Sequence, residues 1–504
     1  MAGSATIDTV AIPWLHVIRE HPALLEKYTH IFNALNQTQS IAHYLLIKGR
    51  AFAAYFRQFI RAIKSNGRLW LSSKRIPSSV DYLFISHLLS PSQCSNLDDF
   101  YFGDMPEKLA ARGYSVAIAL INHSGRCATT IGNQWERSRV TRIILSDSLS
   151  LCDEIAHYLR LRKESNRLRA EALRQSGILE RMVYLRGAVE ALSNGALGAL
   201  RVGSQIGRLV AQMHAKTVLF THEGHAWERI VIATARRANP SVSCIGYQHA
   251  AVFRFQHALR RNLSNEYNPD KILAAGLVGK RQLEASPGLR GIPITILGSN
   301  RATQKRKQES SIKITNQKKN IKNYVCLVLP EGIPSECHCL LNFSIACLKA
   351  LPNVRFIWRL HPVVDFRKLR SDNFQLKILP AAIRISNASL ESDLAQSNMV
   401  LYRGSTAAVQ AVAAGLKPFY LQLKCEININ PLYEIDHCIS KIKNVSDFGE
   451  AVAQINKTKV TKTRKKDQFM INYCKKFYVK MDPSILTKKV YKNNKHFIRT
   501  QKAL

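Results

Sequence analysis

The sequence predicts two α/β units in tandem, each a doubly wound parallel sheet facing a cleft, with a helical insertion in the first unit. Three observations carry this expectation. Short, almost wholly apolar runs alternate with helix-length segments, as buried parallel strands joined by crossover helices do. The rhythm stops at residues 301–322, RATQKRKQESSIKITNQKKNIK, and restarts beyond them. A chain of 504 residues also exceeds what one core organises, so two domains are the natural expectation.

Residues 1–75 read as an N-terminal helical region. Between about 36 and 65, Ile41, Leu45, Phe52, Phe56, Phe59, Ile60 and Ile63 recur at helical spacing, interleaved with Lys48, Arg50, Arg57, Arg61 and Lys64. A basic amphipathic helix of this kind packs on its own domain or lies on an anionic membrane. Packing is the preferred reading.

The first sheet unit is expected over residues 76–300. Its strands are read at 80–87, 114–121, 141–145, 217–220, 242–246 and 272–275, with a helix across 102–112. Residues 150–215, rich in Arg and Leu, break the pattern and are read as an inserted helical hairpin. Residues 301–322 are polar, charged and without apolar periodicity, which describes a basic linker or loop. The second unit is expected over 323–455, with strands at 324–330, 354–359 and 383–386 and two more within 399–421. Helices are read at 336–351 and 390–396. Residues 456–504 read as a basic C-terminal helix and tail, with Phe469, Tyr473, Phe477 and Tyr478 at roughly helical spacing.

Composition narrows the partners. The chain has 73 Lys and Arg against 35 Asp and Glu, a formal net charge of +38. Such a balance favours polyanions: nucleic acid, anionic lipid headgroups or phosphorylated small molecules. Eleven cysteines at irregular spacing fit reduced thiols better than a disulfide framework. The cluster Cys337-His338-Cys339, with Cys326 upstream, lacks a second ligand pair at zinc spacing, so no metal is expected. The first residues lack a basic stretch followed by an apolar one, and no window of about 18 residues is apolar enough to span a bilayer. The expected location is the cytoplasm.

Ligands of open α/β sheets bind at the carboxyl ends of the strands. Those ends supply the candidates. One strand runs into His361-Pro362, where the ring can donate to a phosphate oxygen without a fixed charge. Another runs into Arg403-Gly404-Ser405-Thr406: a cation, a glycine that lets a ligand approach the backbone, and hydroxyls at the start of a helix. In the first unit a strand ends in His222-Glu223-Gly224-His225, with Glu228 soon after. Glu223, placed before a glycine, is the candidate general base, with Glu228 and His225 in reserve. Glu228 is expected on the following helix, paired with Arg229 or Arg236. Gln248 and His249 close the next strand.

Together these features resemble GT-B glycosyltransferases of the bacterial surface-polysaccharide type. In pattern they are similar to bacterial sialyltransferases and polysialyltransferases and to CDP-glycerol glycerophosphotransferases. In the second unit the likeness rests on Leu329-Pro330-Glu331-Gly332, Arg359-Leu360-His361-Pro362, and Gly404-Ser405-Thr406 with Gly415-Leu416-Lys417-Pro418. In the first it rests on Asp99-Phe100-Tyr101-Phe102-Gly103-Asp104, Glu223-Gly224 and Gln248-His249. It covers roughly residues 80–425, leaving out the insertion. Where the sialyltransferases carry two acids and a glycine, this chain has His222-Glu223-Gly224.

The resemblance implies two Rossmann-like domains and transfer, with inversion, of a sugar from a nucleotide-activated donor to a surface glycan such as O-antigen, capsule or lipopolysaccharide. It implies that His361, Ser405 and Thr406 bind the donor phosphate. Pro362, Arg403, Gly404, Gln248 and His249 complete the donor-binding set. No metal and no cofactor are implied, and a glycan or lipid-linked glycan is the acceptor. A lipid-linked acceptor would bring the protein to the inner face of the cell membrane, an anionic surface that suits its charge. Two rivals stand beside this reading. A nucleic-acid-binding protein would use the linker and tail as basic arms, but shows no recognisable module; a sugar-nucleotide epimerase would share the two-domain fold.

Overall fold

The computed structural model describes residues 41–487, apart from 66, 74, 125, 127, 133–138, 303–323, 425–427 and 458–459. Residues 1–40, nearly all of the expected linker and the last part of the basic tail lie outside the described residues.

Helix α1 (Ile41–Ser65) and the edge strand β1 (Trp70–Leu71) precede the first unit. That unit begins β2 (Tyr82–Leu88), α2 (Met105–Ala111), β3 (Val116–Asn122), α3 (Ala128–Gly132) and β4 (Thr141–Ile144). The insertion then supplies α4 (Leu151–Arg174), α5 (Ile178–Ala191) and α6 (Asn194–Met213). The unit resumes with β5 (Thr217–Thr221), α7 (Ala226–Ala238), β6 (Ser243–Gln248) and α8 (His257–Arg260). It closes with β7 (Lys271–Ala274), α9 (Leu277–Glu284) and β8 (Ile294–Ile296).

The second unit begins β9 (Tyr324–Leu329), α10 (Pro334–Ala350), β10 (Val354–Trp358), α11 (Phe366–Asp372) and β11 (Ile383–Ile385). It continues α12 (Leu390–Gln396), β12 (Met399–Tyr402), α13 (Ala407–Ala413), β13 (Lys417–Leu421), β14 (Ser440–Ile442) and α14 (Val445–Lys457). Helices α15 (Val460–Lys475) and α16 (Ser484–Thr487) end the described chain.

The strands lie in two sheets, ordered β1-β4-β3-β2-β5-β6-β7-β8 and β11-β10-β9-β12-β13-β14. All neighbours pair in parallel except β1, which is antiparallel to β4. Numbered within its unit, the second sheet runs 3-2-1-4-5-6, the dinucleotide-fold order, and the first sheet contains the same order with extra strands at its edges. The predicted two doubly wound α/β units are thus the observed architecture. In each sheet the direction of travel reverses once, between β2 and β5 and between β9 and β12. Diverging connections leave a crevice at the carboxyl ends of those strands.

Apolar strands buried on both faces explain why the sequence takes this form. In β3, Val116 to Ile121 are all buried, and in β12 so are all four residues. The insertion is helical, as expected, and consists of three helices, α4, α5 and α6, of which α6 packs along α7. Small Gly203 and Gly207 allow that approach, because a β-carbon at 203 would stand 2.5 Å from Ile230. Residues 476–487 return to the first unit, where Ser299 N–H donates to Val479 O at 2.8 Å and Asp482 N–H to Leu297 O at 2.8 Å. Ala251, Ala275 and Val278 of the first unit share one buried cluster with Tyr402, Val409, Tyr420 and Phe477. The two units are therefore joined by a packed seam as well as by the linker.

Candidate functional site at the two switch points

The first switch point is lined from β2 and β5. At the end of β2, His87 Nε2 lies 3.0 Å from Thr221 Oγ1, and His87 Nδ1 lies 2.9 Å from His123 Nε2. Burial, then the neighbouring imidazoles, push both His87 and His123 below the usual histidine range. The next residues, His222 to His225, form the loop the sequence singled out.

Glu228 holds that loop from beneath. Fully buried, it accepts the amides of Glu223 at 2.9 Å, Gly224 at 2.8 Å and His225 at 3.1 Å, and lies 2.9 Å from His222 Nδ1. Burial alone would raise its pKa; the His222 hydrogen bond, the imidazole charges and the Glu223 amide together hold it below the ordinary value. Its partners differ from those expected. Arg229 turns away to the carbonyls of Tyr267, Ala258 and Arg261, and Arg236 pairs with Asp270. A carboxylate with its lone pairs on backbone amides and no exposed surface shapes the loop and has no path to an acceptor proton. His222, also fully buried, lies beneath the same loop against Gly246.

Glu223 is the carboxylate presented outward, with 26% of its side chain exposed. Its Oε2 lies 3.4 Å from His225 Nε2 and its Oε1 3.4 Å from His249 Nε2. Gly224 makes this presentation possible. It sits at φ +89°, and a β-carbon there would stand 2.5 Å from Leu259 N.

His249 packs edge-to-face against the ring of Tyr101, with centroids 4.5 Å apart. Tyr101 is carried by the Asp99–Asp104 loop. There buried Asp99 accepts Ser86 Oγ and the Tyr101 and Phe102 amides at 2.9 Å each. Gln248, by contrast, points into the protein against Gly279.

Burial lowers the His249 pKa to about 4, with the Glu223 charge opposing and the Arg301 charge assisting. A histidine depressed from 6.5 when unfolded to about 4 when folded favours the fold fully above 6.5, and that contribution is lost as pH falls towards 4. Glu228 acts in the same direction, its contribution being lost as pH falls below 4.5. The expected result is a melting temperature flat above neutrality and falling steeply below pH 6.5. A melting temperature that rises on acidification from 7 to 5 would contradict these environments.

The second switch point is lined from β9 and β12. Pro330-Glu331-Gly332 ends β9, and Arg403-Gly404-Ser405-Thr406 follows β12. Gly404 is in close approach: a β-carbon there would stand 1.4 Å from Glu331 Oε1. Arg403 does not face the crevice. It is only 2% exposed, with Nε 2.5 Å and Nη2 3.3 Å from the Glu336 carboxylate and Nη1 donating to Leu421 O at 3.0 Å. It staples α10 to two strands. Removing one partner of a buried pair typically costs about 3–5 kcal/mol. Arg403→Ala is therefore expected to lower the unfolding free energy measured in urea by that amount, whereas removing a surface cation would leave it unmoved.

Ser405 and Thr406 are half-buried at the crevice. His361 lies beyond β10 in the turn that Pro362 stiffens, and is exposed to solvent. Its Nδ1 accepts the Val363 amide at 3.4 Å, which leaves Nε2 to carry the proton. Burial and then the Arg301 charge depress its pKa, with Glu223 opposing. The ring is thus a neutral donor at neutral pH.

Arg301 connects the two crevices. It follows β8 at the end of the first unit, and its Nη1 donates to Thr406 Oγ1 at 3.4 Å. Burial opposes its charge, but the phenols of Tyr478, Tyr101 and Tyr247 outweigh it and hold the pKa above the ordinary value. The charge of this one guanidinium acts on His249 of the first unit and His361 of the second. Sequence reasoning missed it because it opens the basic run read as linker. The available signal was the strand end at Gly298-Ser299-Asn300 just before it.

The structure thus brings together Glu223, His225, His249, Arg301, His361, Ser405 and Thr406. It leaves Glu228, Arg403 and Gln248 in the surrounding framework. Among the described residues no group of three or more metal-ligating side chains occurs, and Cys337 is a buried thiol against Glu331 O.

No family model and no curated protein matches the chain. Solved structures similar to it include the UDP-GlcNAc 2-epimerase from Methanocaldococcus jannaschii, at 10% identity over 75% of this chain and 93% of that one, with TM-score 0.43. The glycotransferase of kitacinnamycin is 12% identical over 79% and 95%, with TM-score 0.42. The spinosyn rhamnosyltransferase SpnG, complexed with thymidine diphosphate, is 13% identical over 81% and 98%, with TM-score 0.42. What this protein does has to be read from its own residues.

Proposed function

We propose that the protein is a metal-independent glycosyltransferase that moves a sugar from a nucleotide-activated donor to a hydroxyl of a surface glycan or lipid-linked glycan. The observation that carries this reading is Arg301: a cation of the first unit hydrogen-bonded to the Thr406 hydroxyl of the second, whose charge acts on His361 together with that of Glu223.

The chemistry needs two things in one crevice. An acceptor hydroxyl must lose its proton as its oxygen bonds to the anomeric carbon, and Glu223 takes that proton. The bond from the anomeric carbon to the nucleotide phosphate breaks, and its electron pair leaves on the phosphate. Arg301, the Nε2–H of His361 and the hydroxyls of Ser405 and Thr406 meet that charge with fixed donors. His225 and His249 hold the Glu223 carboxylate in position. Pro362 and Gly404 shape the turns that expose these groups, and Arg403 keeps the β12 end in place.

The test is release of free nucleotide from UDP-, GDP-, CMP-, CDP- and TDP-sugars, with and without glycan acceptors. The expected result is release that requires both one donor and an acceptor. Interconversion of a UDP-sugar without acceptor would replace this reading with an epimerase. Salt-dependent retention of RNA or DNA, with no donor turned over, would replace it with a nucleic-acid binder.

A further inference from the structure

The seam between the two units opens at one place into a cavity of about 320 Å³. From the first unit it is lined by His257 and Arg260 of α8, Arg261 just after them, and Gln282 of α9. Tyr433 and Glu434 line it from the second unit. None of these residues belongs to the crevice of Glu223, Arg301 and His361. The volume stands at the lower end of the range for small-molecule sites, about 300–1,000 Å³.

Gln282 marks the cavity as a site. Val278, one turn earlier on α9, packs into the apolar seam. Gln282 continues that face at 4% exposure, yet neither its Nε2 nor its Oε1 has a hydrogen-bond partner in the protein. A buried amide without partners burdens the fold, and an apolar side chain of the same size would remove that burden. Arg260 carries the same signature. Its Nη1 donates to Arg254 O at 3.3 Å, and its Nη2 to Phe253 O at 3.2 Å and Tyr433 Oη at 3.3 Å. Its Nε, also buried, has no partner.

The lining selects the ligand. His257 and Arg261 are exposed beside Arg260, so three basic side chains share one cavity. The acid among them, Glu434, is already paired with Arg281 and accepts the Tyr473 hydroxyl. A basic lining of this kind suits a phosphate, whose oxygens match guanidinium donors. The Gln282 amide, donor and acceptor in one group, suits a hydroxyl.

We propose that this cavity binds a small sugar phosphate, with the phosphate on Arg260, Arg261 and His257 and a sugar hydroxyl on Gln282. The ligand bridges the two units, because Tyr433 closes the cavity from the second. The proposal stands apart from the sugar-transfer reading, since the cavity shares no residue with that site.

The experiment is calorimetric titration of the full chain with glucose 1-phosphate, glucose 6-phosphate, glucose and inorganic phosphate. A sugar phosphate is expected to bind, at least about tenfold more tightly than glucose or inorganic phosphate, which each offer half of the contacts. Gln282→Leu should weaken that binding about tenfold, and Arg261→Glu, at an exposed position, by more. Gln282→Leu should also leave the melting temperature of the free protein unchanged or raised, because it removes an unmet amide. His361→Ala, in the other crevice, should leave sugar-phosphate binding unchanged. The proposal is overturned if neither sugar phosphate binds, if inorganic phosphate or glucose binds as tightly, or if both cavity variants retain full binding. A lower melting temperature for free Gln282→Leu would show an amide already satisfied and overturn it as well. Binding lost in His361→Ala and kept in Gln282→Leu would move the ligand to the other crevice, ending this proposal while leaving the sugar-transfer reading in place.

Discussion

Glu223→Gln is expected to lower turnover about 10²–10⁴-fold while leaving the melting temperature and donor affinity unchanged. The amide keeps the shape of the side chain and its contacts with His225 and His249, but has no lone pair basic enough to take a hydroxyl proton. The expectation is sharpened by Glu228, five residues on, which has the same chemistry and the opposite fate. Glu228→Gln should act through stability: an amide cannot serve as acceptor at both ends for three backbone amides and His222, and the loop that aims Glu223 would loosen. Steady-state kinetics and urea denaturation on the two variants separate the roles. A Glu223→Gln enzyme that keeps full turnover would remove Glu223 as the base.

Arg301→Ala is expected to reduce kcat/KM about 10²-fold, the loss of roughly 3 kcal/mol associated with one preorganised donor on a developing charge. Arg301→Lys should recover part of it, since a lysine restores the charge without the planar fork. The useful control is Arg281, a cation that also spans the seam, through Glu434, and belongs to no part of the proposed site. Arg281→Ala should leave kcat/KM unchanged. If Arg301→Ala and Arg281→Ala behave alike, Arg301 joins the units without touching the donor.

Much of this fold was legible in the sequence because a parallel strand buried on both faces leaves an unbroken apolar run. Tyr324–Leu329 and Met399–Tyr402 are such runs, and both fall where expected. The strands overlooked, β1, β8 and β14, are two or three residues long at sheet edges, too short and too exposed to write a pattern. The return of residues 476–487 to the first unit was equally hidden. It depends on backbone hydrogen bonds across the seam, such as Val479 N–H to Ala275 O at 3.1 Å, to which composition is blind.

The site was half legible for a related reason. Strand-end chemistry exposed Glu223, His361, Ser405 and Thr406, because a polar residue after a buried strand is conspicuous. Direction was not encoded. Arg403 and Glu228 stand at equally promising positions, yet Glu336 and the loop amides, distant or facing inward, turn both side chains into framework. Arg301 was masked by its neighbours: a run of basic residues reads as solvated loop, and only the third dimension shows that its first member lies beside Thr406.

The most direct test of the central claim, that a nucleotide's phosphate lies between Arg301, His361 and the Ser405-Thr406 hydroxyls, is calorimetric titration of UDP, GDP, CMP, CDP and TDP. Wild type, Arg301→Ala and His361→Ala are compared. The account predicts one nucleotide bound by the wild type, and weaker binding in each variant at unchanged stability. Binding that both variants retain in full, or no binding of any nucleotide by the wild type, would contradict it.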